Sequence, residues 1–233
     1  MKRAWEVLTD GVYRCRLPFL DVTVGLVAGN GRNLLIDCGT TLSEAREIAG
    51  DVCEMTGSTV SRLVLTHHHF DHILGCGEFD APTYAAPPVA AALTARLADV
   101  CAEAVHYGAD AAEVACAADV VRIPDHLVWR TDIELGGRLV HVEHPGKGHT
   151  DHDLVVVVAP ITAGQPVVVF CGDLVEEAAD PAIGPDSNLP DWPATLDNLL
   201  ALGGENAVYV PGHGAVVDAD FIRAQRAWLT SRA

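Results

Sequence analysis

Lysine is almost missing from this chain of 233 residues, which contains only Lys2 and Lys147, and the net charge is −17. A surface this acidic repels a nucleic-acid backbone instead of attracting it. We therefore expect no nucleic-acid partner, and the charge also disfavours a nuclease activity.

Long apolar runs are lacking as well. The longest runs, residues 154–160 and 167–171, are far shorter than the roughly 20 residues that a membrane helix needs, so they indicate buried strands. Near the start, Glu6 and Asp10 interrupt the apolar stretch that a secretion signal requires. We therefore expect no membrane partner and no secretion.

Paired cysteines and an activated serine are also missing. The seven cysteines are odd in number and scattered, and none forms a Cys-x-x-Cys pair, which favours a reduced, cytoplasmic location. The chain has no Gly-x-Ser-x-Gly elbow. A hydrolytic reaction would therefore need a nucleophile other than a serine or cysteine side chain.

What is present is a hydrophobic content of 49%, enough for one substantial core. Two β-rich segments joined by Asn30-Gly31 predict a tight hairpin. A helix is expected over about 43–56, with Ser43 as its N-cap and Gly57 as its end, and residues 60–66 predict the next strand. The chain thus opens with a β meander followed by an α/β pattern.

The second half repeats this pattern after an alanine-rich stretch. Residues 87–118 predict two helices, which are either a packed pair or an insertion that covers a cleft. A second meander follows, with a turn at Gly136-Gly137, and helices are expected near 192–202 and 218–231. Two meanders with helices beside them indicate two stacked sheets covered on both outer faces.

The segment LTHHHFDHILG has four histidines and an aspartate in six positions, directly after a predicted strand. In an extended segment His67 and His69 point to one side and His68 to the other, while the following turn can direct Asp71 and His72 elsewhere. Other histidines and an aspartate follow glycine-rich strand ends. The candidate metal ligands are His67, His69, Asp71, His72, His149, Asp173 and His213. Five imidazoles and two carboxylates suit two divalent ions such as zinc.

The motifs His-x-His-x-Asp-His, GHT, GD and PGHG, in this order, resemble the metallo-β-lactamase fold superfamily over nearly the whole chain. The resemblance implies an α/β fold, a four-layer αββα sandwich of two mixed sheets. It also implies one domain over 1–233, with the helical insertion at about 87–118 and a glyoxalase II-like core without the C-terminal glutathione-binding domain. By the same resemblance His67, His69 and His149 form a first metal site, Asp71, His72 and His213 a second, and Asp173 bridges them.

One motif departs from the family pattern. The family often has GHTPGH where this chain has GHTDHD, so His149 matches but the following turn differs. The role of His152 in this turn is open.

The resemblance implies a metal-dependent hydrolase with two Zn²⁺ ions, with iron or manganese as alternatives. A zinc-bridging hydroxide would cleave an acyl bond in a small-molecule ester, lactone or thioester, and Asp71 would act as a catalytic residue that orients the hydroxide. Three alternatives stay open: a β-lactam hydrolase, an iron-dependent redox enzyme similar to persulfide dioxygenases, and a non-catalytic metal-binding protein.

Overall fold

The computed structural model describes residues 4–232, and the strands of this range form two mixed sheets. The first sheet follows chain order and consists of β1 (Trp5–Thr9), β2 (Val12–Arg16), β3 (Thr23–Ala28), β4 (Asn33–Ile36), β5 (Val60–Val64), β6 (Thr83–Ala85) and β7 (His126–Leu127). The second has the order β12-β11-β10-β9-β8 and consists of β8 (Arg130–Glu134), β9 (Leu139–Glu143), β10 (Val155–Val158), β11 (Val168–Glu176) and β12 (Val208–His213). Strands β4 to β7 pair in parallel, as do β11 and β12, and the other neighbours are antiparallel.

Helices cover the outer faces of both sheets. They are α1 (Leu42–Thr56), α2 (Phe70–Ile73), α3 (Pro87–Ala95), α4 (Leu97–His106), α5 (Ala111–Val120), α6 (Trp192–Gly203) and α7 (Ala219–Thr230), with a 3₁₀ turn at Leu74–Glu78. Within residues 4–232 none of these helices has the length and apolar character needed to cross a bilayer.

The two-residue period of the strands divides the apolar side chains among three core regions. In β10, Val156 and Val158 pack between the sheets, while Val155 packs against Trp192 and Leu196 of α6 on the outer face. Neighbouring side chains of a strand point to opposite faces, so a strand buried on both faces can be apolar throughout. The predicted four-layer αββα sandwich is confirmed.

The first hairpin forms where it was predicted. Strands β3 and β4 pair antiparallel, and Gly31 in the connecting turn has a φ of 71°, a value that favours glycine.

The predicted N-cap of α1, however, is wrong. Thr41, not Ser43, accepts a hydrogen bond from the backbone N–H of Glu44, whose carboxylate accepts in return from the Thr41 backbone. This reciprocal capping box begins the helix earlier than expected, and Gly57 ends it as predicted.

The alanine-rich stretch contains three helices where two were expected. Arg96, with φ −127° and ψ 18°, separates α3 from α4. Gly108, with φ 103°, lies between α4 and α5, and Asp110 is the N-cap of α5. The division at Gly108 agrees with the two predicted helices, whereas the break at Arg96 was not predicted, because the helical periodicity continues through it. The assignment of one domain to residues 1–233 stays a prediction.

Candidate metal centre

The seven candidate ligands come from loops, a short helix and two strands that meet at one edge of the sandwich. Strand β5 ends at Val64, and the chain passes through His67 and His69 before α2, which carries Asp71 and His72. His149 lies in the loop before β10. The remaining two, Asp173 and His213, belong to the paired strands β11 and β12. The structure therefore brings together side chains that lie up to 146 positions apart, from 67 to 213.

These side chains form two adjacent groups whose potential ligand atoms lie within 4.8 Å of one another. The first group is His67, His69, His149 and Asp173, and the second is Asp71, His72 and His213. Asp173 joins them, because its Oδ2 lies 3.5 Å from Nε2 of His149 and its Oδ1 lies 3.1 Å from Nε2 of His72. This grouping is the one that the resemblance implies.

Each of the five imidazoles has an acceptor on the side that faces away from the centre. Three rings donate to a hydroxyl or a backbone carbonyl: His67 to Thr66 Oγ1 (3.0 Å), His149 to Ala182 O (3.2 Å) and His213 to Leu20 O (2.7 Å). Two rings donate to carboxylates: His72 to Asp37 Oδ2 (2.8 Å) and His69 to Asp186 Oδ2 (3.0 Å). In metal sites the ligating histidines are typically oriented by acceptors of these kinds.

These outward hydrogen bonds leave a lone pair on the inner nitrogen of each neutral ring. Within residues 4–232, the buried atoms His67 Nε2, His72 Nε2 and Asp173 Oδ1 have no hydrogen-bond partner. His149 Nε2 and His69 Nδ1 face each other at 2.8 Å, while the outer nitrogen of each ring points to an acceptor. Two bare lone pairs this close would repel, so either a proton or a metal ion lies between them. The donor set therefore fits divalent ions that accept imidazole and carboxylate ligands.

Burial also prepares two of the rings for metal binding. It lowers the pKa of His149 to about 4 and holds the pKa of His67 well below its usual value. Both rings are therefore neutral near pH 7, which is the form that binds a metal ion. For Asp173, burial raises the pKa, but the charges of His72 and His213 outweigh it and hold the carboxyl ionised.

The family model for the metallo-beta-lactamase superfamily matches residues 17–213 of the chain. The chain belongs to the metallo-β-lactamase superfamily. A crystal structure of VMB-1 at pH 5.5 has the same fold, with a TM-score of 0.74 over 100% of this chain and 99% of that chain, at 20% identity.

Two curated relatives are each described as a metallo-beta-lactamase type 2. The protein from Bacillus cereus is 32% identical over 90 residues, which are 38% of this chain and 33% of the relative. The protein from Bacillus sp. (strain 170) is 26% identical over 197 residues, which are 83% of this chain and 67% of the relative. The matched segment thus spans only a third of the Bacillus cereus protein.

Sequence reasoning missed the residues that orient the histidines of this superfamily site. Asp37 is buried, and it accepts from the backbone N–H and the hydroxyl of Thr66 as well as from His72. Its position at the end of a strand and before Cys38-Gly39 resembles that of the ligands and could have marked it. Asp186 lies in an irregular loop 117 positions after His69, and no local pattern indicates it.

His68 lies outside the two groups. Its Nδ1 forms a hydrogen bond with Nε2 of His152 at 3.0 Å, and Nδ1 of His152 donates to Asp151. Both rings are buried, so His68 is a packed histidine. Its partner His152 is one of the residues at which the GHTDHD motif departs from the family pattern, and the structure gives it this contact with His68. Nε2 of His68 lies 3.6 Å from Asp186.

A pocket of about 480 Å³ opens onto the metal centre. Its apolar wall includes Leu20, Phe70, Tyr107 and Ile183, and the Tyr107 ring stacks on Phe70 with centroids 5.6 Å apart. Because Tyr107 follows α4, the helical insertion borders the pocket. Among the described residues that line the pocket there is no lysine or arginine.

Proposed function

We propose that this member of the metallo-β-lactamase superfamily hydrolyses an acyl bond in a small neutral or weakly charged ester, lactone or thioester. The observation that carries the proposal is that the seven donors converge and that five of them line a largely apolar pocket, namely His69, Asp71, His149, Asp173 and His213. A pocket of this size suits a small molecule. A nucleic-acid or membrane partner is not part of the proposal.

Two zinc ions held by the seven side chains would supply a hydroxide nucleophile at neutral pH and would polarise the acyl carbonyl. One ion would be held by the first group of four residues and the other by the second group of three. Asp173 belongs to the first group and also contacts the second. Asp71 Oδ2 lies 3.5 Å from Nε2 of His213 and 3.6 Å from Nε2 of His72. We assign Asp71 the additional role of accepting a hydrogen bond from the attacking water, which orients it.

The charge of the pocket favours an acyl substrate over a phosphodiester. Carboxylates of Glu103, Glu176 and Asp180 line it, in addition to those of the metal centre. A phosphodiester would bring a permanent negative charge close to these groups without a lysine or arginine to compensate it. An uncharged ester or lactone avoids this repulsion.

A second candidate function is β-lactam hydrolysis, which the descriptions of the two Bacillus relatives favour. It uses the same acyl chemistry. The common β-lactam antibiotics carry a carboxylate, however, and the lining of this pocket offers no cationic side chain to bind it. We therefore place β-lactams second.

The test is a side-by-side assay of the zinc-loaded protein with lactones, esters, thioesters, β-lactams and phosphodiesters, together with the metal content by elemental analysis. We expect about two zinc ions per chain and turnover of an acyl substrate. His67→Ala should abolish this turnover because it removes a ligand, whereas His68→Ala should retain it. Selective cleavage of phosphodiesters would contradict the substrate class.

Two other results would replace the proposal. A single iron ion with dioxygen consumption would favour the redox alternative. Stoichiometric metal without turnover of any class would favour a binding protein.

A further inference from the structure

Asp186 makes a hydrogen bond that links the loop after β11 to the metal centre. Its Oδ2 accepts from Nε2 of His69 at 3.0 Å, and the Asp186 side chain is about one third exposed. A carboxylate is a stronger hydrogen-bond acceptor than a neutral carbonyl oxygen.

The same loop also holds a second histidine of the first group. Ala182 O accepts from Nδ1 of His149, and the hydroxyl of Ser187 donates to the backbone carbonyl of His149 at 2.8 Å. Ser187 Oγ accepts in turn from the backbone N–H of Gly184 at 3.0 Å, which closes the loop on itself. Residues 182–187, which we name the clamp loop, thus contact two of the three histidines of the first group.

The clamp loop is at the same time part of the pocket wall. Ile183 and Pro185 line the pocket, and Asp186 follows them directly. A single short segment therefore contacts the substrate space on one side and two ligand histidines on the other. Its position should depend on whether these histidines are held in their ligating orientation.

We propose that Asp186 is a positioning residue that fixes His69 with Nδ1 directed into the first metal group, and that it thereby anchors the clamp loop. A carboxylate that accepts from the outer nitrogen sets the tautomer and the ring orientation and makes the inner nitrogen a stronger donor. The inference rests on metal binding by His69, which the proposed function also requires, but it is independent of the substrate.

The test compares Asp186→Ala, Asp186→Asn and the control Asp180→Asn. Asp180 lies on the same connecting segment and lines the pocket, so its substitution removes an equal charge without removing the acceptor of His69. Zinc affinity is measured by competition with a chromophoric chelator, and the thermal midpoint is measured with and without zinc.

We expect Asp186→Ala to weaken zinc binding by about 10- to 100-fold, the usual effect of losing such an orienting partner. Asp186→Asn keeps an acceptor oxygen without the charge, so it should restore part of the affinity. Asp180→Asn should bind zinc as the wild type does. The midpoint of the metal-free protein should be the same for all four proteins, while the rise on adding zinc should be smallest for Asp186→Ala.

Several results would overturn the inference. Wild-type zinc affinity in Asp186→Ala, or an equal loss in Asp180→Asn, would show that the hydrogen bond does not position His69. A fall in the metal-free midpoint that accounts for the whole effect would show a structural role. If Asp186→Ala does not fold, the zinc affinities of Asp186→Asn and Asp180→Asn are compared instead, and equal affinities would overturn the inference. A wild-type protein that binds no zinc would refute the proposed function as well, whereas the other outcomes concern Asp186 alone.

Discussion

Gly212→Ala should expel Asp173 from the metal centre without unfolding the protein. Gly212 lies in β12, beside β11, which carries Asp173. A Cβ at this position would lie 1.8 Å from Oδ1 of Asp173 and 2.9 Å from the carbonyl carbon of Gly172. The φ of Gly212 is outside the left-handed region, so the backbone itself tolerates alanine.

The size of the displacement follows from these distances. Real Cβ atoms essentially never come closer than 3.0 Å to another atom, so Oδ1 must move by at least about 1.2 Å, the difference between 3.0 and 1.8 Å. Metal–ligand distances tolerate only about 0.2 Å. The backbone contact needs a shift of only about 0.1 Å, from 2.9 to 3.0 Å. Because a ligand itself is displaced, we expect the loss of zinc affinity to be at least as large as the roughly 100-fold upper limit for losing a group behind a ligand, with a small loss of metal-free stability.

The assay measures bound zinc per chain by elemental analysis and the thermal midpoint with and without zinc. Gly50→Ala is the matched control, because a Cβ at this position in α1 meets no atom within 4 Å. This control should keep its zinc and gain roughly 0.5–1 kcal/mol, since alanine favours a helix over glycine. Full zinc content in Gly212→Ala would refute the assignment of Asp173 to the centre.

Two further predictions concern stability. Thr41→Ala removes the capping box of α1 and should lower the free energy of unfolding in urea by about 1 kcal/mol. Thr41→Ser keeps the hydroxyl and should retain most of the wild-type stability. Equal stability of the two variants would contradict the cap. Burial raises the pKa of Asp153 to about 7 from 3.8, so in the zinc-free protein the folded state holds a proton that the unfolded state has lost between about pH 4 and 7. Stability should therefore fall as pH rises through this window, by up to about 1.4 kcal/mol per pH unit, and level off above it. Burial also raises the pKa of Glu176 to about 7, so Asp153→Asn should reduce this slope and leave the part due to Glu176. An unchanged slope in urea titrations of Asp153→Asn would show that Asp153 does not contribute to it.

Short-range patterns determined much of the fold and of the site. Period-two apolar runs, the Asn30-Gly31 turn and Gly57 at the end of α1 were readable because each depends on neighbours within a few positions. The candidate ligands were readable for a related reason: all seven lie in short motifs of histidine, aspartate or glycine, namely the segment 67–72, GHT, GD and PGHG. The cap at Thr41 was equally local, and the signal of Glu44 three positions later was overlooked.

Only the tertiary structure decided which residues orient those ligands and how the pocket closes around them. Asp186 meets His69 across 117 positions, and His152 meets His68 across 84, through loops whose course no periodicity predicts. The Tyr107 ring, at the end of α4, stacks on Phe70 of α2, so this part of the pocket wall also comes from two separate segments. A ligand motif is a local arrangement of donor atoms. The groups that accept hydrogen bonds from its histidines, and the residues that form the pocket wall, come from segments that are distant in the chain. Their meeting depends on how both sheets and their helices pack, and a linear sequence pattern does not contain that information.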